Sequence, residues 1–139
     1  MSIIELTSEY YKKYLNLMNQ FRPVDINMCE NEFNTIYNNI TKNGKIFIYK
    51  QEENIIGSIT FIIEHKFIYN TSKVGHIEDL YVDKNSRKMG IGNKLLNHCK
   101  NYSKQINCYK LTLYCNKELV PFYEKNNFII SSTQMKLLN

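Results

Sequence analysis

The segment Arg87-Lys88-Met89-Gly90-Ile91-Gly92 puts two glycines and two cations within six residues, after an apolar run and ahead of a helix-forming one. Gly90 and Gly92 remove side chains where the chain must turn tightly, which exposes consecutive backbone N–H groups. A helix opening there adds unpaired N–H donors and the positive end of its dipole. Such a nest suits a phosphate or pyrophosphate, with Arg87 and Lys88 adding full charges; the same residues also read as a helix start without a ligand. Glu78 and Asp79 are adjacent carboxylates inside the otherwise apolar run Val74 to Val82. Strand alternation predicts opposite faces for them, with at least one inward or lining a cleft, where a charge is rarely placed without a partner. Phe122-Tyr123 reads, on its own, as a pair of core aromatics.

Two other phosphate motifs fit poorly. No Gly-x-x-x-x-Gly-Lys-Ser/Thr string exists. The dinucleotide fingerprint needs Gly-x-Gly-x-x-Gly at the first strand, whereas this loop follows a hairpin late in the chain.

The elements that must position these residues follow from periodicity. Ile3 to Leu6 predicts a short strand, and Thr7 or Ser8 a cap for a helix over Glu9 to Gln20 with Tyr10, Tyr14, Leu17 and Met18 facing the core. Pro23 ends that helix, and a second spans Cys29 to Thr41 before Asn43-Gly44. Lys45 to Lys50 and Ile55 to Glu64, joined by polar Gln51 to Asn54, predict an antiparallel hairpin. A loop at Asn70-Thr71-Ser72 leads to a strand over Val74 to Val82. After the glycine loop comes a helix reaching about Gln105, with Leu95, Leu96 and Cys99 on its apolar face. Cys108 to Cys115 predicts a strand, Leu119 to Lys125 a short helix with Pro121 in its first turn, and Phe128 to Ile130 and Thr133 to Leu138 two closing strands. The expected fold is α/β (α+β type), a mixed, mostly antiparallel sheet with helices on both faces. Only the strand–helix–strand unit from Val74 to Cys115 requires parallel pairing.

At 139 residues the chain is expected to form a single domain. No apolar run approaches the ~20 residues of a membrane span, and Met1 to Glu5 lacks the order of a signal peptide. The +5 charge is dispersed rather than blocked, so a small anionic ligand is a better match than nucleic acid. Cys29, Cys99, Cys108 and Cys115 form no C-x-x-C pair, which signals neither zinc nor a redox motif, and suits small buried hydrophobes in a reducing cytoplasm.

The Arg-x-x-Gly-x-Gly loop between strand and helix resembles the pyrophosphate loop of the GNAT acetyltransferase superfamily. Gly75-His76-Ile77-Glu78-Asp79, Asn107-Cys108-Tyr109-Lys110 and Phe122-Tyr123-Glu124-Lys125 are similar, in order and spacing, to the glucosamine-6-phosphate N-acetyltransferases within it. The resemblance runs from about Ile63 to Phe128 and weakens towards both ends. It implies a GNAT fold and acetyl-CoA as co-substrate, with the pantetheine arm along Leu80, Tyr81 and Val82 and the pyrophosphate on the backbone of Arg87 to Gly92. Tyr123 would stand near the leaving sulfur and donate a hydrogen bond or proton to it. Glu78 and Asp79 would contact the amino sugar, hold its ammonium and accept its proton; His76 matches a structural position. Lys66, Tyr69 and Arg22 would lie around the sugar phosphate. The resemblance further implies a homodimer with the C-terminal strands in its interface, and a place in UDP-N-acetylglucosamine synthesis.

Four positions depart from that pattern. Tyr114 stands where an acidic residue is usual, Leu119 replaces an asparagine, Leu138 a basic residue and Lys88 a small, glycine-like one. The cofactor half of the site is thus better kept than the acceptor half, and Tyr114 carries no charge near neutral pH. Other readings are a GNAT enzyme acting on a polyamine, an aminoglycoside or a peptide N-terminus, a non-catalytic acyl-CoA-binding module, and an unrelated phosphate-binding fold.

Overall fold

A computed structural model describes residues 2–70 and 72–139; Met1, and Thr71 of the expected loop at Asn70-Thr71-Ser72, lie outside the described residues. The apolar runs pair as a five-stranded sheet in chain order, β1 (Ser2–Glu5), β2 (Gly44–Gln51), β3 (Asn54–His65), β4 (Lys73–Val82) and β5 (Lys110–Leu113). Neighbours are antiparallel except β4 and β5, whose parallel pairing follows from the helical crossover between them.

Four helices cover the sheet: α1 (Tyr11–Phe21), α2 (Glu30–Thr41), α3 (Ile91–Gln105) and α4 (Val120–Lys125). A 3-10 turn at Ser8–Tyr10 precedes α1. The expected cap does not form there, because the Thr7 hydroxyl donates to the Glu9 carboxylate at 3.1 Å instead of binding a backbone N–H. At the start of α2 the Cys29 N–H donates to the Glu32 side chain at 3.3 Å.

Alternation along the strands divides the core in two. Phe47, Tyr49, Ile59, Phe61 and Ile77 pack against Ile91, Leu95, Leu96 and Cys99 of α3 and Tyr123 of α4. On the other face Ile46, Ile48, Ile55 and Tyr81 pack against Leu15, Leu17 and Met18 of α1 and Phe33 of α2. Leu95 and Leu96 are fully buried, each contributing roughly 2 kcal/mol of transfer free energy. Cysteine usage is more varied than expected, for Cys99 is buried but Cys29 and Cys115 are exposed.

The closing strands are a correction. Residues 129–139 form neither helix nor strand. Ile129, Ile130, Met135, Leu137 and Leu138 are between 76% and 90% exposed. Their alternating pattern is strand-like, but no sheet edge of the same chain takes it up, and an isolated strand has nothing to satisfy its backbone.

Candidate active site

β4 carries one residue more than its partner. Thr60 pairs with Glu78 and Ser58 with Tyr81, so Ile59 alone faces Asp79 and Leu80. Asp79 absorbs the extra residue at φ 49°, in the left-handed region that Asp and Asn tolerate better than most side chains. The bulge also resets the strand's phase: Ile77, Leu80 and Val82 pack towards α3, whereas Tyr81 packs towards α1. Simple alternation therefore fails at Glu78 and Asp79, which are not separated onto opposite faces as expected. Both are exposed and interact: burial raises the pKa of Glu78, the charge of Asp79 raises it further, and His76 opposes both.

Pairing with β5 stops at the same place. Val74 to Ile77 match Lys110 to Leu113, and beyond them Glu78 to Val82 have no strand partner on that side among the described residues. One backbone edge of Leu80, Tyr81 and Val82 is thus open to an extended ligand. Tyr114, 60% exposed, directly follows Leu113, the last residue of β5 paired with β4.

The glycine loop closes one end of the gap. Gln20 of α1 anchors it, donating to Asp83 at 2.7 Å and accepting from the Lys84 N–H at 3.3 Å. Arg87 Nε donates to the Val82 carbonyl at 3.3 Å, and the guanidinium lies 5.3 Å from the Tyr81 ring centroid. Gly90 adopts φ 76° directly before α3, so the left-handed turn there favours glycine. Gly92 is different: it lies within the first turn of α3, and a Cβ would make only ordinary contact with Phe122 at 3.5 Å. Lys88, on the glycine-like position, takes φ 66°. A cavity of about 250 Å³ opens at the α3 N-terminus, lined by Val82, Arg87, Lys88, Gly90, Gly92 and Phe122 among others. Met89 is exposed outside that lining; Ile91 lines it while its side chain is buried in the core.

Tyr123 is held at the cavity's flank by α4. The Asn126 side chain donates to Asn93 Oδ1 at 2.9 Å and to the Phe122 carbonyl at 3.0 Å, fastening α4 to α3. Tyr123 is only 8% exposed, and burial, with Cys115 nearby adding to it, pushes its phenol up to about 12. It stays protonated near neutral pH and so retains an O–H that can be donated to an anion.

The remaining expected residues are spread out. Arg22 stacks on Phe21 at 5.3 Å, and Phe21 packs on Tyr81, which places Arg22 at the glycine-loop end of β4. Lys66 and Tyr69 sit at the other end, beyond the His65–Lys73 pair, roughly 25 Å away at ~3.3 Å per residue. One copy of the chain therefore does not bring Arg22 and Lys66 together. Lys66 binds Glu64 at 2.6 Å. Tyr69 stacks on Tyr109 with centroids 4.2 Å apart, and the Lys110 ammonium lies over its ring.

The family model of the acetyltransferase (GNAT) family matches residues 5–128. The chain belongs to the GNAT acetyltransferase family. This GNAT chain is 32% identical over 133 residues to the glucosamine 6-phosphate N-acetyltransferase of Arabidopsis thaliana, covering 92% of the chain and 89% of that protein. It is 37% identical over 93 residues to the enzyme of that name from Trypanosoma brucei brucei, covering 67% of the chain and 63% of the relative, less than two thirds of its length. The crystal structure of the Arabidopsis enzyme superposes with a TM-score of 0.90 at 29% identity, over 99% of this chain and 97% of that one. The GNAT fold, a mixed five-stranded sheet flanked by four helices, is thus the one expected.

Several residues of the GNAT site were not anticipated. Ser58 and Thr60 are buried hydroxyls opposite the bulge, and both hydrogen-bond the Tyr14 phenol, which burial above all pushes up to about 12 while Asp79 adds to the shift. Two hydroxyls spaced by two in the apolar run Ile55 to Ile63 were the available signal. Gln20, Asn93 and Asn126 carried none, since their roles depend on contacts between distant elements.

Proposed function

We propose that this chain is an acetyl-CoA-dependent N-acetyltransferase acting on glucosamine 6-phosphate, with residues 1–139 as one catalytic domain. The observation that carries it is the gap where β4 leaves β5, with two carboxylates at its apex and a glycine-turned helix N-terminus at its end. The pantetheine arm pairs with the open edge of Leu80 to Val82. Its pyrophosphate takes backbone donors of Arg87 to Gly92, as the left-handed Gly90 and the adjoining cavity allow.

Glu78 and Asp79 hold the acceptor's ammonium, and Glu78, whose carboxyl is already biased towards protonation, takes one of its protons. The freed amine nitrogen attacks the thioester carbonyl, and N–H groups of the Leu80–Val82 edge stabilise the oxyanion. The carbon–sulfur bond then breaks, and the CoA thiolate receives its proton from Tyr123. No acyl-enzyme forms, because nitrogen attacks directly in a ternary complex. Lys66 and Tyr69 face the sugar phosphate, and the product feeds UDP-N-acetylglucosamine synthesis.

The protein works as a homodimer in a reducing cytoplasm. Support for the dimer is the apolar tail after Phe128, which its own chain leaves uncovered; the four free cysteines support the location. No helix among the described residues is long and apolar enough to cross a membrane.

A second acceptor class, a small amine such as a polyamine or aminoglycoside, or a peptide N-terminus, is favoured by exposed Tyr114, Leu119 and Leu138 in place of polar family residues. Measuring CoA release against a panel of these amines decides between them. Turnover with glucosamine 6-phosphate but not with glucosamine is expected; turnover only with another amine replaces the acceptor, and acetyl-CoA binding without any turnover refutes the enzyme.

A further inference from the structure

Beside Glu78, two bases converge on one carboxylate. Lys66 Nζ lies 2.6 Å from Glu64 Oε1, and His76 Nε2 lies 3.4 Å from Glu64 Oε2. The other ring nitrogen, Nδ1, is held 2.8 Å from the Thr112 hydroxyl. Although His76 Nε2 is within ion-pair distance of Glu64, it is shielded from solvent and has no hydrogen-bond partner among the described residues. Such an atom is costly to leave unsatisfied.

Two converging bases form an anion site, and here the chain's own carboxylate fills it. Glu64 is the most exposed of the three side chains, at 44% against 32% for Lys66 and 23% for His76, so it can swing away into water. A phosphate monoester brings up to two negative charges and three acceptor oxygens against the single charge of a carboxylate. His76 and Glu78 lie two residues apart on the strand, before the bulge, and so share a face about 7 Å apart at ~3.3 Å per residue. That interval is comparable to the span of a hexosamine from its 2-amino group to its 6-phosphate.

We infer that Glu64 is an internal stand-in for the acceptor's phosphate, holding Lys66 and His76 until that phosphate displaces it and takes both. The inference rests on the sugar-phosphate reading and adds His76 as a phosphate ligand and Glu64 as the competitor. It explains why a histidine fixed by Thr112 aims its free nitrogen at a group it does not bond.

The test uses the full chain with Glu64→Gln and His76→Asn. Removing the charge of Glu64 should lower KM for glucosamine 6-phosphate about two- to fivefold, the scale of an exposed ion pair, with KM for acetyl-CoA unmoved. His76→Asn, which retains a partner for Thr112, should raise KM for the sugar phosphate alone. An unchanged or higher KM in Glu64→Gln overturns the inference. Inorganic phosphate, followed by the His76 imidazole signals in NMR, separates it from the parent reading. Phosphate should shift those signals at lower concentration in Glu64→Gln than in the parent protein. Shifts without any turnover of glucosamine 6-phosphate keep the anion site and refute the acceptor; turnover with His76 signals blind to phosphate keeps the acceptor and refutes the anion site.

Discussion

Gly90 and Lys88 test the loop from opposite directions. Both have left-handed backbones, at φ 76° and 66°, but only one is glycine. A Cβ at Gly90 would meet nothing within 4 Å, so Gly90→Ala clashes with no neighbour and its effect is conformational. Forcing an L residue into the left-handed region costs about 1–2 kcal/mol, and alanine recovers about 0.4–1 kcal/mol through a less flexible unfolded chain. The net loss is about 0.8 kcal/mol, which lowers Tm by about 3 °C for a domain of this size. Lys88→Gly reverses both signs and should raise Tm by about the same amount. Affinity for acetyl-CoA then separates the loop's two roles. The methyl of Gly90→Ala projects into the open cavity where backbone must approach the pyrophosphate, so binding should weaken by about tenfold, or ~1.4 kcal/mol. Lys88→Gly removes one exposed charge and should weaken binding by no more than about fivefold. Thermal unfolding and calorimetric titration of the two variants give all four numbers. Equal Tm for parent and Gly90→Ala would refute the left-handed turn, and full acetyl-CoA affinity in that variant would place the pyrophosphate elsewhere.

Three further outcomes are expected. Tyr123→Phe should lower kcat by about 10²-fold while acetyl-CoA affinity, measured by titration, stays nearly intact; an unchanged rate would remove Tyr123 as the donor to the thiolate. With Glu78 as base, the acid limb of the kcat/KM profile should lie above its ordinary 4.5, because burial and Asp79 raise it. Asp79→Asn, which suits φ 49° as well as aspartate does, should move that limb to lower pH by removing the neighbouring negative charge, and a limb that stays put refutes the coupling. A chain ending at Phe128 keeps the Tyr123–Phe128 ring contact and loses only exposed tail, so sedimentation should show a monomer with little change in Tm; a dimer that survives the truncation moves the interface elsewhere.

The parts of this fold that were legible in the sequence are those decided by near neighbours. Two β-rich apolar runs on either side of polar Gln51 to Asn54 specified the β2–β3 hairpin, and Leu95, Leu96 and Cys99 specified the buried face of α3. The glycine loop was legible because its chemistry is written in consecutive residues. What failed required knowledge of a partner. Met135 and Leu137 alternate as a strand would, yet a strand exists only where an edge receives it, and neither outer strand of the sheet, β1 or β5, pairs with this tail. How Arg22 and Lys66 lie relative to each other was equally illegible, since α1 carries Arg22 to the Tyr81 end of β4 and Lys66 lies at the other end. Lys66, Glu64 and His76 meet only through the β3–β4 register, which sequence spacing does not reveal.

The bulge at Asp79 was the least legible feature and has the widest consequences. A single extra residue opposite Ile59 turns Tyr81 towards α1, where Phe21 and Gln20 meet it, and returns Leu80 and Val82 to the α3 side. It brings two carboxylates close enough to raise a proton affinity in the middle of a strand. It also coincides with the end of β5 pairing, so the open backbone edge begins where the charges are. On the proposed function, an acetyl group carried on that edge would be delivered beside the carboxylates assigned to hold and deprotonate the amine. Regular alternation running through Asp79 without the bulge would send Tyr81 into the α3 core and Leu80 out of it. The bulge thus sets the strand geometry on which both the open backbone edge and the paired carboxylates depend.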